Sequence, residues 1–221
     1  MVKIDLHVHT EYSPDAFTSI KEAIYVAKKR GLDGIAITDH NTIAGVKEAQ
    51  KIAKELDFLI IPGEEVSTKD GHVLALGINK RIKPGLTAKE TINRIHKQKG
   101  LAIAAHPYGV ILHHHSVRDL IKELNFDAVE VFNSTNIIEN KKAIEVAREL
   151  NLVQVAGSDA HISSEIGRSY TIADCNLNVK SFLAKIKQGN VLWIGKRSPL
   201  IRGAQYKLRR FYSMITKEKS L

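Results

Sequence analysis

Short apolar, β-branched runs recur along this chain at VKIDL (2–6), GIAIT (34–38), FLII (58–61), HVLALG (72–77), LAIAA (101–105), AVEVF (128–132), LVQVA (152–156) and VLWIG (191–195). Most are separated by segments of helical periodicity, and that alternation admits few folds. Runs this short and this apolar suit strands buried on both faces, and parallel strands require a crossover helix between them. In the first intervening segment Ile20, Ala23, Ile24 and Ala27 form one stripe; in the last, Val179, Phe182, Leu183 and Ile186 do. Ser19 with Glu22, Thr87 with Glu90 and Ser116 with Asp119 read as capping boxes that open helices. Gly31, Gly100 and Gly189 stand where a helix end favours a left-handed residue. A chain of 221 residues can bury one sizeable core. With strand and helix alternating about seven times, a closed α/β barrel is favoured over an open sheet.

The unusual residues fall on that frame in one way. His7 and His9 follow the first strand, Asp39 and His40 the second, and Glu64 and Glu65 the third; His106 follows LAIAA, and Asp159 and His161 follow LVQVA. All sit at C-terminal strand ends, where a parallel barrel gathers its loops around one pocket. Imidazoles and carboxylates packed together there would be costly unless a divalent cation turned them into ligands. Glu64 and Glu65 cannot both face the pocket on extended backbone, because successive side chains point to opposite faces. Asp39 is expected to accept a hydrogen bond that orients a ligand, or to touch metal or substrate directly.

Taken together, HVH in DLHVHT, TDHN, PGEE, AHP and GSDAH resemble the motifs of the PHP family, named for polymerase and histidinol phosphatase, over roughly residues 3–173. The resemblance implies a distorted (β/α)7 TIM-like barrel as a single domain, residues 1–195, holding two or three divalent ions of Zn, Mn or Fe. Carried over position by position, it implies His7, His9, Asp15, His40, Glu65, His72, His106, Asp159 and His161 as metal ligands. Read alone, Asp15 serves equally well as a turn carboxylate and His72 as a strand-edge residue. The chemistry implied is hydrolysis of a phosphate ester by metal-activated water attacking phosphorus in line. Arg168, in EIGRSYT, matches a recurring arginine and is expected to grip phosphate, unless it is a surface arginine. Nucleotides, oligonucleotides and small phosphorylated metabolites are the expected substrates. Some members carry an inserted lid between the AHP and GSDAH motifs; residues 107–158 leave little room for one, so an open site is expected.

Composition narrows the setting. The single Cys175 has no partner for a disulfide, no apolar run is long enough to cross a bilayer, and the N-terminal segment lacks a signal-like apolar stretch, so a cytoplasmic protein is expected. Of the formal net charge of +9, residues 196–221 carry most, with eight Lys or Arg and one Glu. Ile201, Ala204, Leu208, Phe211 and Ile215 keep helical spacing there, which predicts a basic C-terminal helical extension that packs on the body or meets nucleic-acid phosphates. His113, His114 and His115 read as a loop, since adjacent side chains diverge, and His96 as a solvated helix residue. Two other readings stand beside the phosphoesterase: an amidohydrolase-type barrel, which would want a bridging lysine at a strand end, and a non-catalytic nucleic-acid-binding barrel.

Overall fold

The structure is a computed structural model, and it describes residues 1–109, 116–135 and 139–198. His113–His115 and all but the first three residues of the basic extension lie outside the described residues. In chain order the elements are β1 (Val2–Val8), α1 (Ile20–Lys29), β2 (Gly34–Ile37), α2 (Val46–Lys54), β3 (Leu59–Ser67), β4 (His72–Leu76), α3 (Ala88–Lys97), β5 (Leu101–Ala104), β6 (Ala128–Asn133), α4 (Asn140–Glu149), β7 (Gln154–Gly157), β8 (Ser169–Ala173), α5 (Val179–Lys187) and β9 (Val191–Gly195). Each apolar run anticipated in the sequence is a strand, and one further strand, β8, is added. The nine strands form one nearly closed sheet in the order β7-β6-β5-β4-β3-β2-β1-β8-β9.

The sheet is not uniformly parallel. β1–β2–β3 and β5–β6–β7 run parallel, but β4 is antiparallel to both its neighbours, and β8 is antiparallel to both of its own, β1 and β9. The reason for β4 is connection length: the segment between Ser67 and His72 closes through the Thr68 N–H to Gly71 O bond at 3.1 Å and leaves no room for a crossover helix. At its upper end the barrel shuts directly between β1 and the end of β7, through a Val8–Ala160 bridge, His9 N–H to Ala160 O (3.0 Å) and Asp159 N–H to His7 O (2.8 Å). β9 was expected to be buried; it is an end strand, and Leu192 and Ile194 face solvent.

Three apolar clusters hold these layers. Ile4, Leu6, Ile61, Leu74, Leu76, Ile103 and Val155 fill the barrel, with Phe182 and Ile186 of α5 plugging its base. Ile20, Ile24, Ile35, Ile37, Ala49 and Phe58 pack α1 and α2 on the outside, and Val66, Val73, Ile92, Ile95, Val129 and Val131 pack α3 and α4. Each large aliphatic side chain buried this way contributes roughly 1.5–3 kcal/mol. Helix starts follow local chemistry: Ser19 accepts from Glu22 N–H, and Thr87 with Glu90 makes the full reciprocal box. Ser116 does not cap. Its hydroxyl bonds the carbonyls of His106 and Gly109 instead, and the following turn, Arg118–Lys122, is 3-10. Gly31 and Gly189 take positive φ as expected, whereas after α3 it is Lys99 that does so; Gly100 is required because a Cβ there would sit 2.7 Å from Leu76 O.

Candidate metal centre

Strand alternation alone would not bring His7 inward. Ile4 and Leu6 point into the barrel, so His7 should point out, but the β1–β2 register shifts between Asp5 and Val8. That one-residue irregularity reverses the phase, sending Val8 to the outer cluster and His7 and His9 inward. On β3 no shift occurs, and Glu65 faces in while Glu64 faces out.

Glu65 is the hub. Its Oε2 lies 3.3 Å from His7 Nε2, 3.3 Å from His9 Nε2 and 3.2 Å from His40 Nδ1; its Oε1 lies 2.8 Å from His72 Nδ1 and 2.9 Å from His106 Nε2. Asp159 Oδ1 stands 3.3 Å from His7 Nε2 and 3.2 Å from His9 Nε2. Asp15 Oδ2 is 3.5 Å from His40 Nε2 and 3.3 Å from His161 Nε2. All nine residues proposed as ligands therefore meet at one mouth. Three overlapping groups within it have spacing that suits an ion: His7, His9, Glu65 and Asp159; His40, Glu65 and His72; and His9, His40 and His161.

The donor chemistry fits a cation. His7 Nδ1 lies 3.0 Å from Glu130 Oε1, and an ionised carboxylate only accepts, so the proton belongs on Nδ1 and Nε2 presents a bare lone pair. That lone pair faces His9 Nε2 at 3.1 Å and two carboxylate oxygens. Such a convergence of acceptors, at 0–1 % exposure, repels unless a cation or a proton lies among them. The titration tendencies say the same. Burial pulls His7 down, yet Asp159, Glu130 and Glu65 outweigh it and lift its pKa well above the usual imidazole value. Burial pushes Glu65 up, yet His72, His7 and His40 hold it well below the usual carboxylate range. His40, depressed by burial, is carried up to about 9 by Glu65 and Asp15.

Two of the nine residues sit in strained backbone: His106 at φ 28° and Asp159 at φ 54°. Neighbours hold both in place. Glu130 Oε2 accepts from His106 N–H (2.8 Å), and Asp159 Oδ2 accepts from Asn133 Nδ2 (3.3 Å) and Thr135 Oγ1 (3.1 Å). The wall below is braced by Asp5, whose carboxylate accepts from the backbone N–H groups of His7, Ser158 and Gly167 and whose pKa burial raises to about 6. Glu130, Asn133, Thr135 and Asp5 were not anticipated, nor was Ser13, whose hydroxyl lies 3.0 Å from His9 Nδ1 and accepts from His40 N–H at 2.9 Å. For Glu130 a signal existed: it is the one charge inside the apolar run AVEVF.

Two expected participants are placed elsewhere. Asp39 gives both oxygens to Thr10, Oδ1 to its N–H at 2.6 Å and Oδ2 to its hydroxyl at 2.8 Å, so it holds the residue after His9 and bonds no imidazole among the described residues. Arg168 donates from Nε to Ser164 O (3.2 Å) and from Nη1 to Arg197 O (3.4 Å); its hydrogen-bond partners among the described residues are these carbonyls, not the cluster.

Residues 5–191 match the family model described as PHP domain. An uncharacterized protein of Methanocaldococcus jannaschii is 40% identical over 162 residues, covering 67% of this chain and 94% of that one. A 3',5'-nucleoside bisphosphate phosphatase of Chromobacterium violaceum is 36% identical over 92 residues, 40% of this chain, and the match spans 32% of that enzyme. In three dimensions, a two-domain Bacteroides vulgatus protein containing a predicted PHP-like metal-dependent phosphoesterase superposes with a TM-score of 0.73 at 19% identity, covering 88% of this chain and 65% of that one.

Proposed function

Since the chain belongs to the PHP domain family, we propose that it is a metal-dependent phosphoesterase acting on nucleotides, oligonucleotides or small phosphorylated metabolites. The observation that carries this reading is the convergence of His7, His9, Glu65 and Asp159 lone pairs on one buried point. Three overlapping groups support two or three divalent ions, and mixed nitrogen and oxygen donors suit Zn, Mn or Fe. Such ions, when bound, acidify water and neutralise charge on a phosphate ester.

The protein's own part is positioning. Glu130 keeps the proton of His7 on Nδ1, and Asp39 fixes the chain beyond His9 through Thr10. Exposure grades across the site: His7, His9, Glu65 and Asp159 are sealed, whereas Asp15 is 35 % exposed and His40 16 %. The ester therefore enters from the Asp15 and His40 side and meets the sealed group last. Arg168 has no role in this arrangement unless it exchanges its carbonyl partners for phosphate. Eight cationic side chains in residues 196–221 support nucleic-acid contact as a further feature, and removing residues 199–221 should then weaken oligonucleotide binding in a salt-dependent way.

The test is metal analysis of protein purified without chelator, together with p-nitrophenyl phosphate turnover in Mn or Zn. His9→Ala and Asp159→Ala should each abolish turnover and lower metal content while the far-ultraviolet circular dichroism stays unchanged. Turnover retained by both variants would refute the site.

A further inference from the structure

β1, β3, β4, β5 and β7, with the turn after β2, each deliver at least one of the nine ligands; β6 delivers none. Yet β6 carries a carboxylate, Glu130, only 1% exposed and turned toward the ligands. Its Oε1 faces His7 Nδ1, and its Oε2 accepts from His106 N–H and from Asn133 Nδ2 at 3.0 Å. The same Asn133 nitrogen reaches Asp159 Oδ2. A register shift between Glu130 and Phe132 lets both Glu130 and Asn133, three apart, reach the interior while Val129 and Val131 stay in the outer core. The neighbouring strand is shaped for the contact: a Cβ on Gly157 would stand 2.5 Å from His7 Cβ and 2.8 Å from Glu130 Oε1.

We propose that Glu130, seconded by Asn133, is the positioning residue of the centre, orienting three ligands from three other strands, His7, His106 and Asp159, by hydrogen bonds to groups that do not themselves face the ions. The proposal rests on the metal-binding reading above and deepens it. A carboxylate behind an imidazole fixes the tautomer and strengthens the far nitrogen as a donor to metal. Here it has a second effect: by holding the N–H of His106 it steadies the positive-φ backbone from which that ligand springs.

Glu130→Gln is the sharp probe, because its shape is kept while one accepting oxygen becomes a donating NH2 group. All three neighbours are donors, so Gln leaves one unsatisfied or turns His7 to the tautomer that lacks an Nε2 lone pair. Mn(II) and Zn(II) affinities of Glu130→Gln, by competition with a chromophoric chelator, should fall about 10- to 100-fold with the metal-free fold intact. The His7 Nδ1–H resonance of the zinc-saturated protein should also move upfield, which a loss of packing alone would not produce. Asn133→Ala, which keeps the Glu130–His7 contact, should lose less. Wild-type affinity and an unmoved resonance in a folded Glu130→Gln would overturn the proposal; should that variant fail to fold, wild-type affinity in Asn133→Ala would do so. If the wild-type protein itself binds neither ion, it is the phosphoesterase reading that falls, and this one with it.

Discussion

The inner and outer faces of β3 bury two adjacent glutamates and shift their pKa values in opposite directions. Glu65, facing in, meets five imidazoles and is held ionised. Glu64, facing out beneath the Ile82 loop among Val66, Ala75 and Ile82, accepts one bond, from Ile82 N–H; its Oε2 has no hydrogen-bond partner among the described residues. Burial pushes its pKa up to about 7, against the opposing pull of the Ile82 N–H and then of Arg81. Burial is therefore not what makes a carboxylate reactive. What its neighbours offer decides, and only the inner face offers a ring of bases that a cation can join.

The comparison breaks most visibly at the inner residue. Glu65→Gln removes the charge shared by two of the three groups proposed to hold ions, and metal content and phosphoester turnover should fall by more than about 100-fold, beyond the loss usual for an outer neighbour of a ligand. Metal analysis and steady-state rates on the same preparation check it. The outer residue should answer with stability and not with rate. Because its folded pKa lies above the unfolded value, the folded state binds that proton more tightly, so stability is full below about pH 4.5 and is lost as pH rises through about 7. Glu64→Gln should abolish that loss, gaining roughly 2–3 kcal/mol above pH 8 and nothing near pH 4. Urea melts at the two pH values read this directly, and parallel pH dependence in variant and wild type would sink the assignment. The smallest effect is expected at Asp39, a buried carboxylate that bonds Thr10 and no imidazole among the described residues. Asp39→Asn keeps the Thr10 N–H bond and lets the Thr10 hydroxyl reverse its role, so about 1 kcal/mol of stability and under about tenfold in rate should be lost. A Glu65-sized collapse there would place Asp39 on the reacting atoms after all.

Much of this was legible beforehand because the signals are local. The α1 stripe and the Thr87–Glu90 box are facts of spacing and reappear unchanged. Glu64 and Glu65 fall on opposite faces as alternation requires, because β3 keeps an unbroken register. β1 and β6 depart from alternation, because one added residue inverts the face without leaving a mark in residue type. β8 escaped notice since SYTIA alternates polar and apolar residues and never forms an apolar run. Ser116 misled because a hydroxyl can satisfy carbonyls across space as well as cap a helix.

The order of residues by itself determined which donors exist and that most stand at or near strand ends, since a barrel gathers strand ends whatever its details. Folding in three dimensions decided which donors come close enough to hold an ion together, which carboxylate has its pKa raised by burial, and that Glu130 stands behind His7. Those outcomes depend on ångström distances between residues more than a hundred positions apart, set by two register shifts and one glycine that no periodicity encodes.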